Sequence, residues 1–104
     1  MAKYLLAYRG GSMPDGAEAQ AQVTGAWTAW FTSIGGAVAD PGNPSTTSRT
    51  IAPDRTASPV GPASLSGYTI LSADSLDAAV ALAKGCPVLA GGASIEVIET
   101  ADVM

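Results

Sequence analysis

The feature that most limits the fold is the alternation of two helix-like segments with four strand-like segments. Apolar residues recur at helical spacing over 15–34, and Asp74 with Ser75 begins a second helical segment that ends near Lys84. Short apolar or alternating stretches, typical of strands, lie at 3–9, 37–40, 66–73 and 94–100. Each half of this order is a split β-α-β unit. It predicts an α+β fold, a ferredoxin-like βαββαβ antiparallel sheet with two helices on one face.

A long loop divides the two halves. The 104 residues are the length of one domain, spanning 1–104. The range 41–65 holds five of the seven prolines. A loop of this length in a compact domain is either mobile or functional, and Ser48–Ala52 could form a short strand inside it.

The strands carry apolar side chains on both faces of the sheet, whereas two helices can cover only one face. In the first strand Tyr4, Leu6 and Tyr8 lie on one face, while Leu5 and Ala7 lie on the other. An apolar sheet face in water would be an unusually large exposed patch. We therefore expect a homodimer in which a second copy covers this open face, giving a dimeric α+β barrel with a cleft on each side.

Composition excludes several kinds of function. The chain has no histidine, so the serine triad, His-ligated zinc and an imidazole base are all excluded. Cys86 is the only cysteine, which excludes an internal disulfide and fits a reducing cytoplasm. Five scattered basic residues in a chain of net charge −4 disfavour nucleic-acid binding. The scattered carboxylates suggest no metal site, and nothing indicates a cofactor.

One uncharged stretch has the length of a membrane span. Residues 19–39 carry no charge, but glutamines, threonines and glycines interrupt them. The apolar residues fall on one stripe, as in an amphipathic helix. We therefore expect no membrane span and a cytoplasmic protein.

Two acidic positions have both a functional and a structural interpretation. Asp40 could face the cleft, with Asn43 orienting a ligand, but both residues also suit local turn chemistry, which we favour. Asp74 could act as a base, but capping of the second helix is the stronger interpretation.

Aromatic positions give the remaining candidates. Tyr8, Tyr68 and Glu96 could share the open face, where they would suit a polar-headed ligand or a dimer interface. Trp27 and Trp30 are expected in the core, with one of them lining the cleft. The candidate ligand-binding residues are therefore Tyr8, Trp30, Asp40, Asn43, Tyr68, Asp74 and Glu96.

An ordered set of short motifs resembles the YCII-related family, which includes the DGPF-domain proteins. The set covers nearly the whole chain: Tyr4-Leu5-Leu6, Ala26-Trp27 with Trp30-Phe31, Asp40-Pro41-Gly42-Asn43-Pro44, Gly67-Tyr68-Thr69-Ile70, Asp74-Ser75-Leu76-Asp77-Ala78-Ala79, Lys84-Gly85-Cys86-Pro87 and Ile95-Glu96-Val97. The resemblance implies a dimeric α+β barrel. It also implies a regulatory role, since some relatives are encoded beside extracytoplasmic-function sigma factors.

The chain departs from that family in two ways. Some YCII-type proteins pair a histidine on the first helix with an aspartate, and this chain has no histidine. The Asp-Gly-Pro-Phe motif is also missing, and only Gly61-Pro62 is similar to it. The family's His–Asp chemistry therefore does not transfer.

Three functions remain as hypotheses. The first is a non-catalytic dimer that binds a small ligand or a partner, as a regulatory accessory. The second is a cofactor-free enzyme, such as an isomerase, lyase or monooxygenase, with Asp40, Asp74 or Glu96 as base and Tyr8 or Tyr68 polarising an oxygen. The third is a structural self-associating module.

Overall fold

The computed structural model describes residues 1–60 and 64–103. Its main elements, in chain order, are β1 (Ala2–Gly10), α1 (Ala17–Ile34), β2 (Val38–Asp40), β3 (Arg49–Ile51), β4 (Ala57–Pro59), β5 (Leu65–Ala73), α2 (Leu76–Ala83) and β6 (Ala93–Glu99). Two short 3-10 turns, at Gly35–Ala37 and Pro87–Leu89, follow the two helices.

Four strands form one antiparallel sheet in the order β2-β5-β1-β6. The first strand of the chain therefore lies in the interior of the sheet, beside the two long strands of the second half. With the two helices, this arrangement confirms the predicted α+β, ferredoxin-like βαββαβ fold.

Both helices pack on the same face of the sheet. The core joins Leu6 and Tyr8 of β1 and Leu71 of β5 to Trp30 of α1 and Ala83 of α2. Burying a side chain such as Leu6, which is fully inaccessible, is worth about 1.5–3 kcal/mol.

The other face of the sheet also carries apolar side chains. Leu5 lies directly opposite Ile70 on one side and Ile98 on the other, and all three are half-buried. Since side chains alternate along a strand, this row faces away from both helices. The two-faced apolar pattern predicted for β1 is confirmed.

The helix starts differ slightly from the prediction. α1 begins at Ala17 rather than 15, because Gly16 has a φ of 93° and provides no side-chain cap. α2 begins after Ser75, whose Oγ accepts a hydrogen bond from the Ala78 N–H at 3.1 Å. Of the two predicted caps, the serine performs the role, and Asp74 lies just outside.

The long loop contains a β-hairpin. The strand expected within Ser48–Ala52 is present as β3, and it pairs antiparallel with β4, which was not predicted. The Gly61-Pro62 pair lies outside the described residues. In the parts of the chain that the structure covers, neither helix combines the length and apolarity needed to cross a bilayer.

Candidate functional site

A cleft of about 980 Å³ opens beside α1, at the carboxyl end of β1. Residues 41–44, which we call the strap, form another part of its wall, as do Pro87, Val88, Ala90 and Gly91. Gly10 and Gly11, with φ of 76° and 83°, end β1 and line the cleft. The volume is at the upper end of the range for sites that hold a small molecule.

Three aromatic rings line one side of the cleft. The Trp27 ring lies 5.7 Å from Tyr8, edge to face, and 5.7 Å from Phe31. The helical spacing of the last two residues places both on the face of α1 that turns toward the sheet. Within the described residues, the Trp27 indole N–H has no hydrogen-bond partner, so it is available to an acceptor on a ligand.

A chain of hydrogen bonds connects the sheet to the strap. The Tyr8 hydroxyl donates to Thr69 Oγ1 at 2.6 Å, and the Thr69 hydroxyl donates to the carbonyl oxygen of Pro41 at 3.0 Å. Thr69 is 1% exposed, so its two bonds are shielded from water. The Cys86 sulfur lies 3.7 Å from the Tyr8 hydroxyl.

Burial raises the pKa values of the Tyr8 hydroxyl and the Cys86 thiol, so both groups stay neutral. Desolvation raises the pKa of Tyr8 far above its usual value of 10.0, although the hydrogen bond to Thr69 opposes the shift. Desolvation also raises the pKa of the Cys86 thiol. At neutral pH these groups are a phenol and a thiol, which can donate hydrogen bonds but supply no charge.

The strap is held against β5 through backbone contacts. The Tyr68 N–H donates to the carbonyl oxygen of Asn43 at 3.3 Å, and Pro44 bridges to Gly67. Gly42 has a φ of 72°, and a Cβ there would overlap the carbonyl oxygen of Tyr68. A side chain at this position would therefore push the strap away from the sheet.

The described lining of the cleft contains no acidic or basic residue. The lining residues of polar type are all neutral: Tyr8, Ser12, Gln22, Thr24, Asn43, Ser66, Tyr68 and Thr69. Among the described residues, no cluster of His, Cys, Asp or Glu could hold a metal ion. The cleft therefore offers hydrogen bonds and apolar contact without a charge.

Three of the predicted site residues line the cleft: Tyr8, Asn43 and Tyr68. The expectation that Tyr8 shares the open face with Tyr68 and Glu96 is wrong. Tyr8 lies opposite Gly67 and Ile95, whereas Tyr68 and Glu96 both lie opposite Ala7, one residue out of step. Side-chain alternation therefore directs Tyr8 into the helix-covered core.

The other predicted residues do not line the cleft. The Asp40 carboxylate accepts the Gly42 N–H at 2.8 Å, as the turn interpretation predicted. Asp74 is exposed beside the N-cap of α2. Glu96 pairs with Arg9 at 3.4 Å on the open face.

Trp30 is a core residue, and its neighbour Trp27 takes the place in the cleft. Trp30 is 6% exposed, and its indole N–H donates to the carbonyl oxygen of Leu82 at 3.1 Å. The sequence predicted that one of the two tryptophans lines the cleft. Helical periodicity alone does not separate them, because residues three apart lie on the same side of a helix.

Thr69 is the central residue that sequence analysis missed. Threonine is common in strands, so nothing in its immediate neighbourhood distinguishes it. Only the strand register, which places Leu6 opposite Thr69, brings its hydroxyl close to Tyr8.

No family model matches the sequence, and no curated protein matches it.

Proposed function

We propose that this protein binds an uncharged small molecule with an aromatic or apolar body in the cleft, without chemical turnover. The neutral, aromatic lining of the 980 Å³ cleft is the observation that carries the proposal. A charged ligand would lose its hydration in this site and gain no opposite charge, which is costly.

The ligand would be recognised by its shape and by a few neutral hydrogen bonds. The rings of Trp27 and Phe31 supply flat apolar surfaces, against which aromatic groups pack favourably. The Trp27 N–H and the Asn43 amide supply donors for a carbonyl or hydroxyl oxygen. A planar ketone, phenol or heterocycle without a formal charge has this chemistry.

We also propose that two copies associate through the open face. Leu5, Ile70 and Ile98 form an apolar row there, and a face-to-face partner would remove it from water. This association and the ordered motifs are our grounds for placing the protein beside the YCII-related dimeric α+β barrels. The same resemblance supports a regulatory role, and the single cysteine fits a reducing cytoplasm.

The enzyme hypothesis finds less support. Its candidate bases were Asp40, Asp74 and Glu96, and the described lining of the cleft includes none of them. Tyr8 remains as a group that could polarise an oxygen, but its hydroxyl already donates to Thr69. A purely structural module would leave the cleft without a use.

Binding is tested by tryptophan fluorescence and calorimetry with a panel of small aromatic molecules. The panel pairs neutral compounds with carboxylate and phosphate analogues of similar size. We expect binding of neutral members only, accompanied by a change in emission that Trp27→Phe abolishes. Turnover of any compound, or a preference for the anionic analogues, would overturn the proposal.

A matched pair of variants separates the cleft from the core. Tyr8→Phe removes a hydroxyl at the cleft, whereas Tyr4→Phe removes one on the same strand and face, bonded to Glu99 and outside the cleft lining. We expect the first change to weaken ligand binding by breaking the hydrogen bonds that connect the sheet to the strap, and the second to leave the affinity unchanged.

A further inference from the structure

In the described chain, the β3–β4 hairpin, residues 49–59, forms a two-stranded sheet separate from the main sheet. Within the described chain, β3 and β4 pair with each other alone, and all six of their residues are exposed. The radius of gyration is 15.1 Å, against about 13 Å for a compact domain of this length. An isolated two-stranded hairpin is marginally stable in water. We call this segment the arm.

Local hydrogen bonds nevertheless fix the tip of the arm. The Ala52 N–H donates to the carbonyl oxygen of Thr56 at 2.9 Å, and the Arg55 N–H donates to that of Ala52 at 2.8 Å. The Asp54 carboxylate accepts both the N–H and the hydroxyl of Thr56, at 3.0 and 2.7 Å. Ordering this backbone costs conformational entropy, and among the described residues of the arm only Ala52 is partly buried to offset that cost.

The arm carries an apolar side chain in water and a charge opposite to that of the rest of the chain. Ile51 is 71% exposed. The arm has two arginines and one aspartate, for a net charge of +1, while the other residues hold three basic and eight acidic groups, for −5. All eight of those acidic residues are exposed.

We infer that the arm, with its net charge of +1, docks on a second copy of this chain, whose residues outside the arm carry a net charge of −5. The opposite charges of arm and body favour that contact. In a two-fold pair each copy supplies one arm and one acidic body, so every contact forms twice. The inference rests on the proposed association of two copies and adds a second contact to the one at the open face.

The first test compares an arm variant with a matched surface variant by sedimentation equilibrium. Ile51→Asp places a charge on the arm, and Val103→Asp changes a β-branched residue that is 81% exposed outside it. We expect Ile51→Asp to raise the dimer dissociation constant about tenfold or more, as for a residue central to an interface, and Val103→Asp to leave it nearly unchanged. Equal effects, or none, would overturn the inference.

The second test uses trypsin on the unmodified protein. Cleavage after Arg55, at the exposed tip, is expected to slow as the protein concentration rises through the dimer dissociation constant. Equal cleavage rates in monomer and dimer would show that the arm does not dock in the dimer, and would overturn the inference.

A third variant distinguishes failure of the arm from failure of the dimer. Ile98→Asp charges the open face and leaves the arm intact. If it dissociates the dimer while Ile51→Asp does not, the arm inference is wrong and the open-face association stands. If the wild-type protein is a monomer at every concentration, both are wrong.

Discussion

Replacing Thr69 by valine tests the hydrogen-bond chain that connects the sheet to the strap. Thr69→Val keeps the shape of the side chain and removes its hydroxyl. That hydroxyl accepts from Tyr8 and donates to the carbonyl oxygen of Pro41. The change therefore leaves the Tyr8 hydroxyl buried, with the Cys86 sulfur at 3.7 Å as its remaining weak partner.

The expected cost follows from which group loses its partner. An unsatisfied buried donor costs about 1–3 kcal/mol, so Thr69→Val should lower the unfolding free energy by that amount. Tyr8→Phe should cost only about 0.5–1.5 kcal/mol, because Thr69 keeps its bond to Pro41. In the double variant both hydroxyls are gone, so neither is left buried without a hydrogen-bond partner. The double variant should therefore lose roughly 1 kcal/mol less unfolding free energy than the sum of the two single variants' losses.

Urea denaturation of the four proteins, at one protein concentration, measures this coupling. Tyr4→Phe with Thr69→Val is the control pair, since Tyr4 bonds Glu99 instead, and its costs should simply add. Additivity of Tyr8→Phe and Thr69→Val within about 0.3–0.5 kcal/mol would refute the argument.

Three further predictions concern the strap, a helix cap and alkaline pH. Gly42→Ala should lower the unfolding free energy by at least about 1 kcal/mol, since its φ is 72° and Tyr68 blocks a Cβ; Gly36→Ala, with open space around it, is the control in the same urea assay. Ser75→Ala should cost about 1 kcal/mol by removing the cap of α2, measured as a lower thermal midpoint. Burial raises the pKa values of Cys86 and Tyr8 above 9.0 and 10.0, so the unfolded chain loses these protons first. The stabilisation that these two groups contribute is therefore fully present at pH 7 and is lost above about pH 9. Tyr8→Phe should make the decrease of the urea midpoint between pH 9 and 11 smaller.

The fold could be predicted because its determinants are local. Helical spacing over 15–34 and strand-like stretches at 3–9 and 66–73 specify element type and order, and the order allows few topologies. Element ends were less predictable. At the start of α1, for example, the positive φ of Gly16 overrides the preference of Asp15 for the first turn.

The site was less predictable because it depends on register. Moving a strand by one residue exchanges its two faces, and no local pattern reveals that Tyr8 lies opposite Gly67 rather than Tyr68. The sequence offers Asp40 and Asp74 as possible bases, yet Asp40 accepts a hydrogen bond within a turn and Asp74 lies exposed just outside the Ser75 cap of α2. The hydroxyl of Thr69 matters only through the partner that pairing brings to it.

The absence of charge from the described lining of the cleft has a consequence for how a cell could use this protein. Attraction between charged partners weakens as salt rises, and titrating groups gain or lose affinity as acidity changes. Binding of a neutral ligand to an uncharged site depends little on salt, and between about pH 5 and 8 it depends little on pH. Binding of the proposed neutral ligand would therefore follow the ligand's concentration and change little with salt or with pH in that range.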